Sequence, residues 1–202
     1  MNFKKFLPWI IAVVVIFGIY SWATGIYNNA MTMEQGIKES WGNVETAYQR
    51  RNDLIVNLVK SVQGQADYEK GTLEAVVKAR AEASQTKIDP SKITPEQLEK
   101  FNSAQSSLSR LLMTVENYPN LQANEGFLKL QDEITSTENQ ILTARTRFNE
   151  AVKPYNNNIL TFPRNIFANM YGLKEKPYFE AVTGADKAPD VKFNFDKKEE
   201  SK

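Results

Sequence analysis

Residues 6–23 read FLPWIIAVVVIFGIYSWA and carry no charge. About 20 apolar helical residues cross a hydrocarbon core of roughly 30 Å, so the run predicts a transmembrane helix, placed over residues 6–26. Lys4 and Lys5 precede it, and the next charge is Glu34. Trp9 stands near one end and Tyr20, Trp22 and Tyr27 near the other, as interfacial aromatic belts do. Pro8 falls in the first turn, where it costs no hydrogen bond. A cleaved signal peptide is the competing reading, with Ser21-Trp22-Ala23 as a loose cleavage site. The apolar run exceeds the usual signal core of about 7–15 residues, which favours an anchor.

From residue 37 the apolar positions step at helical spacing. Ile37, Trp41, Val44, Tyr48, Ile55, Leu58 and Val62 form a heptad-type stripe, with arginine in the slot at position 51. This predicts a helix over about residues 30–63. Tyr27–Met33 holds neither proline nor glycine, so it should continue from the membrane segment as a rigid stalk. Gly64 interrupts and Asp67 caps a second helix over about 67–86, with Leu73, Val76, Val77, Ala79 and Ala83 on its apolar side. Whether these are two helices or one kinked rod stays open. Residues 87–94 read as a loop around Pro90. Thr94-Pro95-Glu96-Gln97 is a helix start: N-cap threonine, proline at N1, glutamine at N3. Leu98, Phe101, Leu108, Leu112 and Val115 follow on one face until Tyr118-Pro119 ends that helix.

A fourth helix begins near Asn124, with Phe127, Leu130, Ile134, Ile141, Phe148, Val152 and Tyr155 as its stripe and Thr137 and Ala144 between them. Pro154 is expected to kink or end it. A short helix over about 163–171 stops at Gly172. Only Val191–Phe195 alternates as a strand would. The fold class is therefore all-α: a transmembrane helix continuing into an up-and-down bundle of about four long helices, then a short C-terminal helix and an extended arm. The expected organisation is an N-terminus over 1–5, the span over 6–26, the bundle over 27–172, an arm packed on it over 173–195, and a disordered tail over 196–202.

Charge and composition narrow the chemistry. A net charge of +1 supplies no field for nucleic acid. The chain has no cysteine and no histidine, which removes disulfides, thiolate or imidazole metal sites and histidine-based catalysis. No catalytic residue, metal or cofactor is expected. Glu39, Glu45, Glu69, Glu74, Glu125, Asp132, Glu133 and Glu138 are the carboxylates an acid/base pair would draw on, but nothing in their spacing selects two.

Arg51 in its seam slot, and Arg80 on the apolar side of helix two, each need a carboxylate if buried. Asp132, Glu133 and Glu138 are the candidate partners, as a salt-bridge layer fixing register or as the wall of a polar pocket. Tyr118 belongs to a turn. Phe162, Phe167, Tyr171, Tyr178 and Phe179 make an aromatic C-terminal arm that either covers the open end of the bundle or, where exposed, forms a docking surface. Arg164, Lys174 and Lys176 lie among them.

Several strings together resemble the LemA family of bacterial membrane proteins: WGNV at 41–44, QRRNDLIVNLV at 49–59, LEAVVKAR at 73–80, YPNL at 118–121, LQDE at 130–133 and KPYFEA at 176–181, with Glu138-Asn139 and Ala144-Arg145 between. They run in family order over about residues 26–195. Val56 stands where the family usually has proline, which implies a straighter helix here. The resemblance implies a membrane helix and a helical bundle and brings no active site or cofactor.

The expected function is a non-enzymatic scaffold or interaction module at the bacterial cell envelope. Its partners are expected to be the lipid bilayer and either another protein or a second copy. The positive-inside bias of Lys4 and Lys5 places it in the cytoplasmic membrane as a single-pass protein with the domain on the outer side. The alternatives are a ligand-binding sensor domain and a carboxylate-dependent envelope hydrolase.

Overall fold

The computed structural model describes the backbone of residues 3–63, 70–116 and 125–180. Gly64, Asp67, Tyr118, Asn124, the 191–195 segment and the 196–202 tail lie outside the described residues. Five helices are present among those described: α1 (Phe3–Gln63), α2 (Lys70–Gln85), α3 (Pro95–Glu116), α4 (Glu125–Leu160) and α5 (Arg164–Met170). The fold is an all-α bundle.

α1 is one unbroken helix of 61 residues, about 90 Å long. Its apolar N-terminal part is long enough to cross a membrane, and only 6% of its most apolar window is buried, unlike the core helix of a soluble protein. Beyond Ala30 the same helix becomes the spine of the bundle. Ile37, Trp41, Val44, Tyr48, Arg51, Ile55 and Leu58 are all buried, as the heptad stripe requires. The helix passes through Val56 without interruption.

α2 folds back along α1. Ser84 near its end accepts a hydrogen bond from Asn52, and Val76 near its start packs with Leu58 and Val59. The first two soluble elements are thus separate helices. Val76, Ala79 and Ala83 face inward, whereas Val77 turns outward. The 86–94 loop inserts Ile88 and Ile93 into the core. At the start of α3 the capping box is formed: the Thr94 N–H donates to Gln97 Oε1 at 3.1 Å, and the Gln97 N–H donates to Thr94 Oγ1 at 3.3 Å. α3 then rises beside α1, its Phe101 against Trp41 and Tyr48.

α4 descends along α1 with Phe127, Ile134, Thr137, Ile141, Ala144, Phe148, Val152 and Tyr155 buried. Of the two outcomes expected at Pro154, a kink or an end, the helix does not end there. The helix continues to Leu160 because Tyr155, Asn156, Asn158 and Ile159 are all buried beyond the proline, and that packing offsets one lost backbone hydrogen bond. α5 ends in a Schellman motif. Gly172 takes a positive φ of 69°, while the Leu173 N–H donates to the Ala168 carbonyl at 3.0 Å and the Gly172 N–H to Asn169 at 3.1 Å. This turn sends residues 173–180 back up α4 as an extended strap.

Candidate functional site

Three arrangements bring polar or exposed aromatic side chains together: a polar layer at mid-bundle, the clamped strap, and an apolar collar at the membrane-proximal end.

The polar layer is built on Arg51, which is 2% exposed. Its Nη1 donates to Glu138 Oε1 at 2.8 Å and to Ser109 Oγ at 3.0 Å. Its Nη2 donates to the Gln105 carbonyl at 3.5 Å and to Gln105 Oε1. Gln105 in turn donates to the Ala83 carbonyl. One guanidinium therefore joins α1, α3 and α4, and through Gln105 reaches α2. The Tyr48 ring lies 5.0 Å from the same guanidinium. Burial pushes the Tyr48 phenol above its ordinary range, partly opposed by the charges of Arg145 and Arg51.

Of the three candidate carboxylates, Glu138 takes the Arg51 contact. Asp132 is exposed on the outer side of α4, and Glu133 is half-buried with its carbonyl accepting from Thr137. Arg80 is half-buried, and its Nε donates to the Asn52 carbonyl at 3.2 Å. A backbone oxygen, which needs no sequence signature, satisfies it in place of an acid. Beside the layer runs a groove of about 620 Å³ whose floor includes Tyr48, Asn52, Phe101 and Gln105. Neither Arg51 nor Arg80 lines this groove. Glu45 and Asp53 reach the groove from α1, about 12 Å apart along the helix, and Asp53 is engaged by Gln49.

The strap is held by two asparagines two turns apart on α4. Asn156 donates to the Lys176 carbonyl at 2.8 Å and accepts from the Lys176 N–H at 2.9 Å. Asn149 does the same for Phe179, at 2.9 and 2.8 Å. Arg145 adds a bond to the Glu180 carbonyl. These side chains satisfy the strap backbone as a neighbouring strand would. They seat Phe179 in the core, stacked on Trp41 with centroids 5.9 Å apart and edge-on to Phe148 at 5.3 Å. Lys176 is buried too. Its ammonium donates to Glu34 Oε1 at 3.3 Å and to the Ser91 carbonyl, tying the strap to α1 and to the 86–94 loop. Tyr155 donates to the Lys174 carbonyl. Burial, with the Glu34 charge in support, pushes its phenol up to about 12.

The aromatic arm thus divides. Phe179 is core. Phe167 meets Trp22 of α1 edge-on at 5.3 Å, and Tyr171 meets Tyr27 at 5.1 Å. Tyr178 is partly exposed, and Phe162 at the α4–α5 turn is 76% exposed. Gln105, Asn149, Asn156 and the Lys176–Glu34 pair escaped sequence reasoning. Only Gln105 had a signal: it fills the seam slot between Phe101 and Leu108.

The LemA family profile matches residues 40–193, which includes the polar layer and the strap. Magnetosome protein MamQ 2 of Paramagnetospirillum magneticum is 27% identical over 181 residues, covering 79% of this chain and 66% of that protein. MamQ of Magnetospirillum gryphiswaldense is 26% identical with the same coverage. Protein LemA of Metamycoplasma hominis is 25% identical over 180 residues, covering 89% of this chain and 79% of its own. The chain therefore spans just under two thirds of the length of the magnetosome relatives it matches. With the profile covering most of the bundle and an apolar N-terminal helix ahead of it, this membrane-associated chain belongs to the LemA family.

Proposed function

We propose that the protein is a single-pass, non-enzymatic interaction module of the cell envelope, anchored in the cytoplasmic membrane with its bundle on the outer side. The observation that carries this reading is the continuity of α1: the helix that is apolar enough to cross a bilayer is the same helix that organises the bundle core. Such a protein cannot rotate freely about a linker. Its long faces are presented at a set angle in the membrane plane, where confinement raises the effective concentration of partners. The side between α1 and α4 offers Asn43, Thr46, Arg50, Asn139, Thr143 and Arg147 as a polar contact surface. Membership of the LemA family supports a membrane setting and leaves the partner to experiment.

The chain lacks cysteine, so single cysteines at Asn43, Asn139 or Thr143 can be introduced without background. Crosslinking in native membranes is expected to give specific adducts from this face, with a partner or a second copy. Adducts no more abundant than those from an unrelated exposed position such as Lys100 would overturn the reading. Maleimide accessibility of the same cysteines in intact cells decides the side of the membrane.

A further inference from the structure

Among the described residues, the membrane-proximal end of the bundle leaves a group of large apolar side chains exposed. Leu160, Phe162, Ile166, Met170 and Tyr171 project from the α4–α5 turn and from α5, and all are exposed, Phe162 and Met170 by 76% and 75%. A cluster of this kind on a soluble surface is costly unless something apolar covers it.

Its height along α1 says what covers it. α5 is fastened to α1 by Phe167 on Trp22 and Tyr171 on Tyr27. Counted from Phe6, these two positions lie about 24 and 32 Å along the helix, at the far boundary of a hydrocarbon core of roughly 30 Å. α1 becomes buried by the bundle already at Ala23 and Ile26. The wholly uncovered stretch before Ala23 is therefore somewhat short for the core, and α5 is drawn down to the level of the headgroups. The charge pattern agrees. From Pro154 to Lys174 the only charged residues are Arg164 and Lys174, both basic and both exposed, and α1 carries no charge until Glu34.

We propose that the α4–α5 turn and α5 form an interfacial foot that inserts Leu160, Phe162, Ile166, Met170 and Tyr171 into the same bilayer that α1 crosses, with Arg164 and Lys174 on anionic headgroups. The protein then touches its membrane twice, through a span and through a short in-plane element beside it. The occupant of the apolar surface is lipid, because the surface is continuous with the span itself. This rests on α1 crossing the bilayer, and the test separates the two claims.

Single cysteines replace Phe162, Met170, Val14 within the span, or Thr135 on α4, about 38 Å along the helix from Leu160. The full-length protein, carrying an environment-sensitive fluorophore, is reconstituted in vesicles of phosphatidylcholine and phosphatidylglycerol with or without brominated lipid. Probes at Val14, Phe162 and Met170 are expected to be blue-shifted and quenched severalfold more than the probe at Thr135. Strong quenching at Val14 with Phe162 and Met170 no different from Thr135 overturns the foot and leaves the span intact. Loss of quenching at Val14 as well overturns both. Blue-shifted probes at Phe162 and Met170 that brominated lipid does not quench would show a second copy covering the surface, which also overturns the proposal.

Discussion

Replacing Glu138 with alanine tests the polar layer most directly. Arg51 is 2% exposed and its Nη1 lies 2.8 Å from the Glu138 carboxylate. Deleting one partner of a fully buried ion pair costs about 3–5 kcal/mol, because the other charge is stranded. Two features lower that figure here. The Glu138 side chain is 43% exposed, so water already screens the pair. Ser109 Oγ and both oxygens of Gln105 also remain as acceptors for the guanidinium. A cost of about 1.5–2.5 kcal/mol follows, close to one hydrogen bond to a charged group. In a domain of this size that lowers the melting temperature by about 3–10 °C.

The companion variant gives the argument its sign. Arg51→Met removes the buried charge together with its need for a partner, leaves Glu138 free to hydrate, and keeps an unbranched apolar side chain in the seam. Such replacements are commonly neutral or stabilising, so Arg51→Met is expected within about 1 kcal/mol of the parent. The orphaned Gln105 Oε1 sets the unfavourable side of that range. Both variants are measured as the full chain in detergent micelles, by thermal melting followed with circular dichroism. A Glu138→Ala melt within about 1 °C of the parent would refute the stranded-charge argument. So would an Arg51→Met loss larger than that of Glu138→Ala, since the cation itself would then be the stabilising element.

Asn156→Ala removes both bonds to Lys176 at a buried position and should cost about 2–3 kcal/mol; hydrogen exchange at the Lys176 amide is expected to accelerate while amides around Ile55 stay protected, and equal acceleration at both would mean the strap is not a separate unit. For Tyr155 the raised phenol means the folded state holds its proton more tightly than the unfolded chain. That contribution is fully present below the unfolded value of about 10 and is lost as pH rises through about 12. Tyr155→Phe should therefore flatten the fall in stability across this alkaline window, and denaturant titrations of parent and variant with the same slope against pH would contradict it.

The elements that were legible in the sequence are those governed by local rules. The stripes of α1 and α4 repeat at the spacing of a helix seam, and nearly every named position is buried. The capping box at Thr94 is a four-residue rule and it is formed. Arg51 was visible because a cation stood in an apolar slot. What stayed hidden depends on partners far away in the chain. Lys176 and Glu34 are 142 residues apart, and no spacing rule links them. Asn156, in the Asn-Asn-Asn run after Pro154, reads as turn chemistry yet lies inside α4, and neither it nor Asn149 reveals its role until an extended strap from 20 or 30 residues later comes to lie over them. Pro154 left two outcomes open for the same reason: its local cost is real, but the buried residues on both sides of it carry the helix on to Leu160. The aromatic arm could not be partitioned from sequence, because Phe179 and Tyr178 are adjacent and differ only in which way the clamped strap turns them.

The unbroken spine has a mechanical consequence. A spanning helix tilts once its bilayer thins below its apolar length, and tilts of about 20° are ordinary. From Tyr27 to Gln63 the lever arm of α1 is about 54 Å, so such a tilt sweeps its far end sideways by about 18 Å. With no hinge to absorb the angle, a change in membrane thickness of a few ångströms becomes a displacement several times larger at the distal end. The molecule is then a gauge of the bilayer it stands in, and what it can reach depends on how thick that bilayer is.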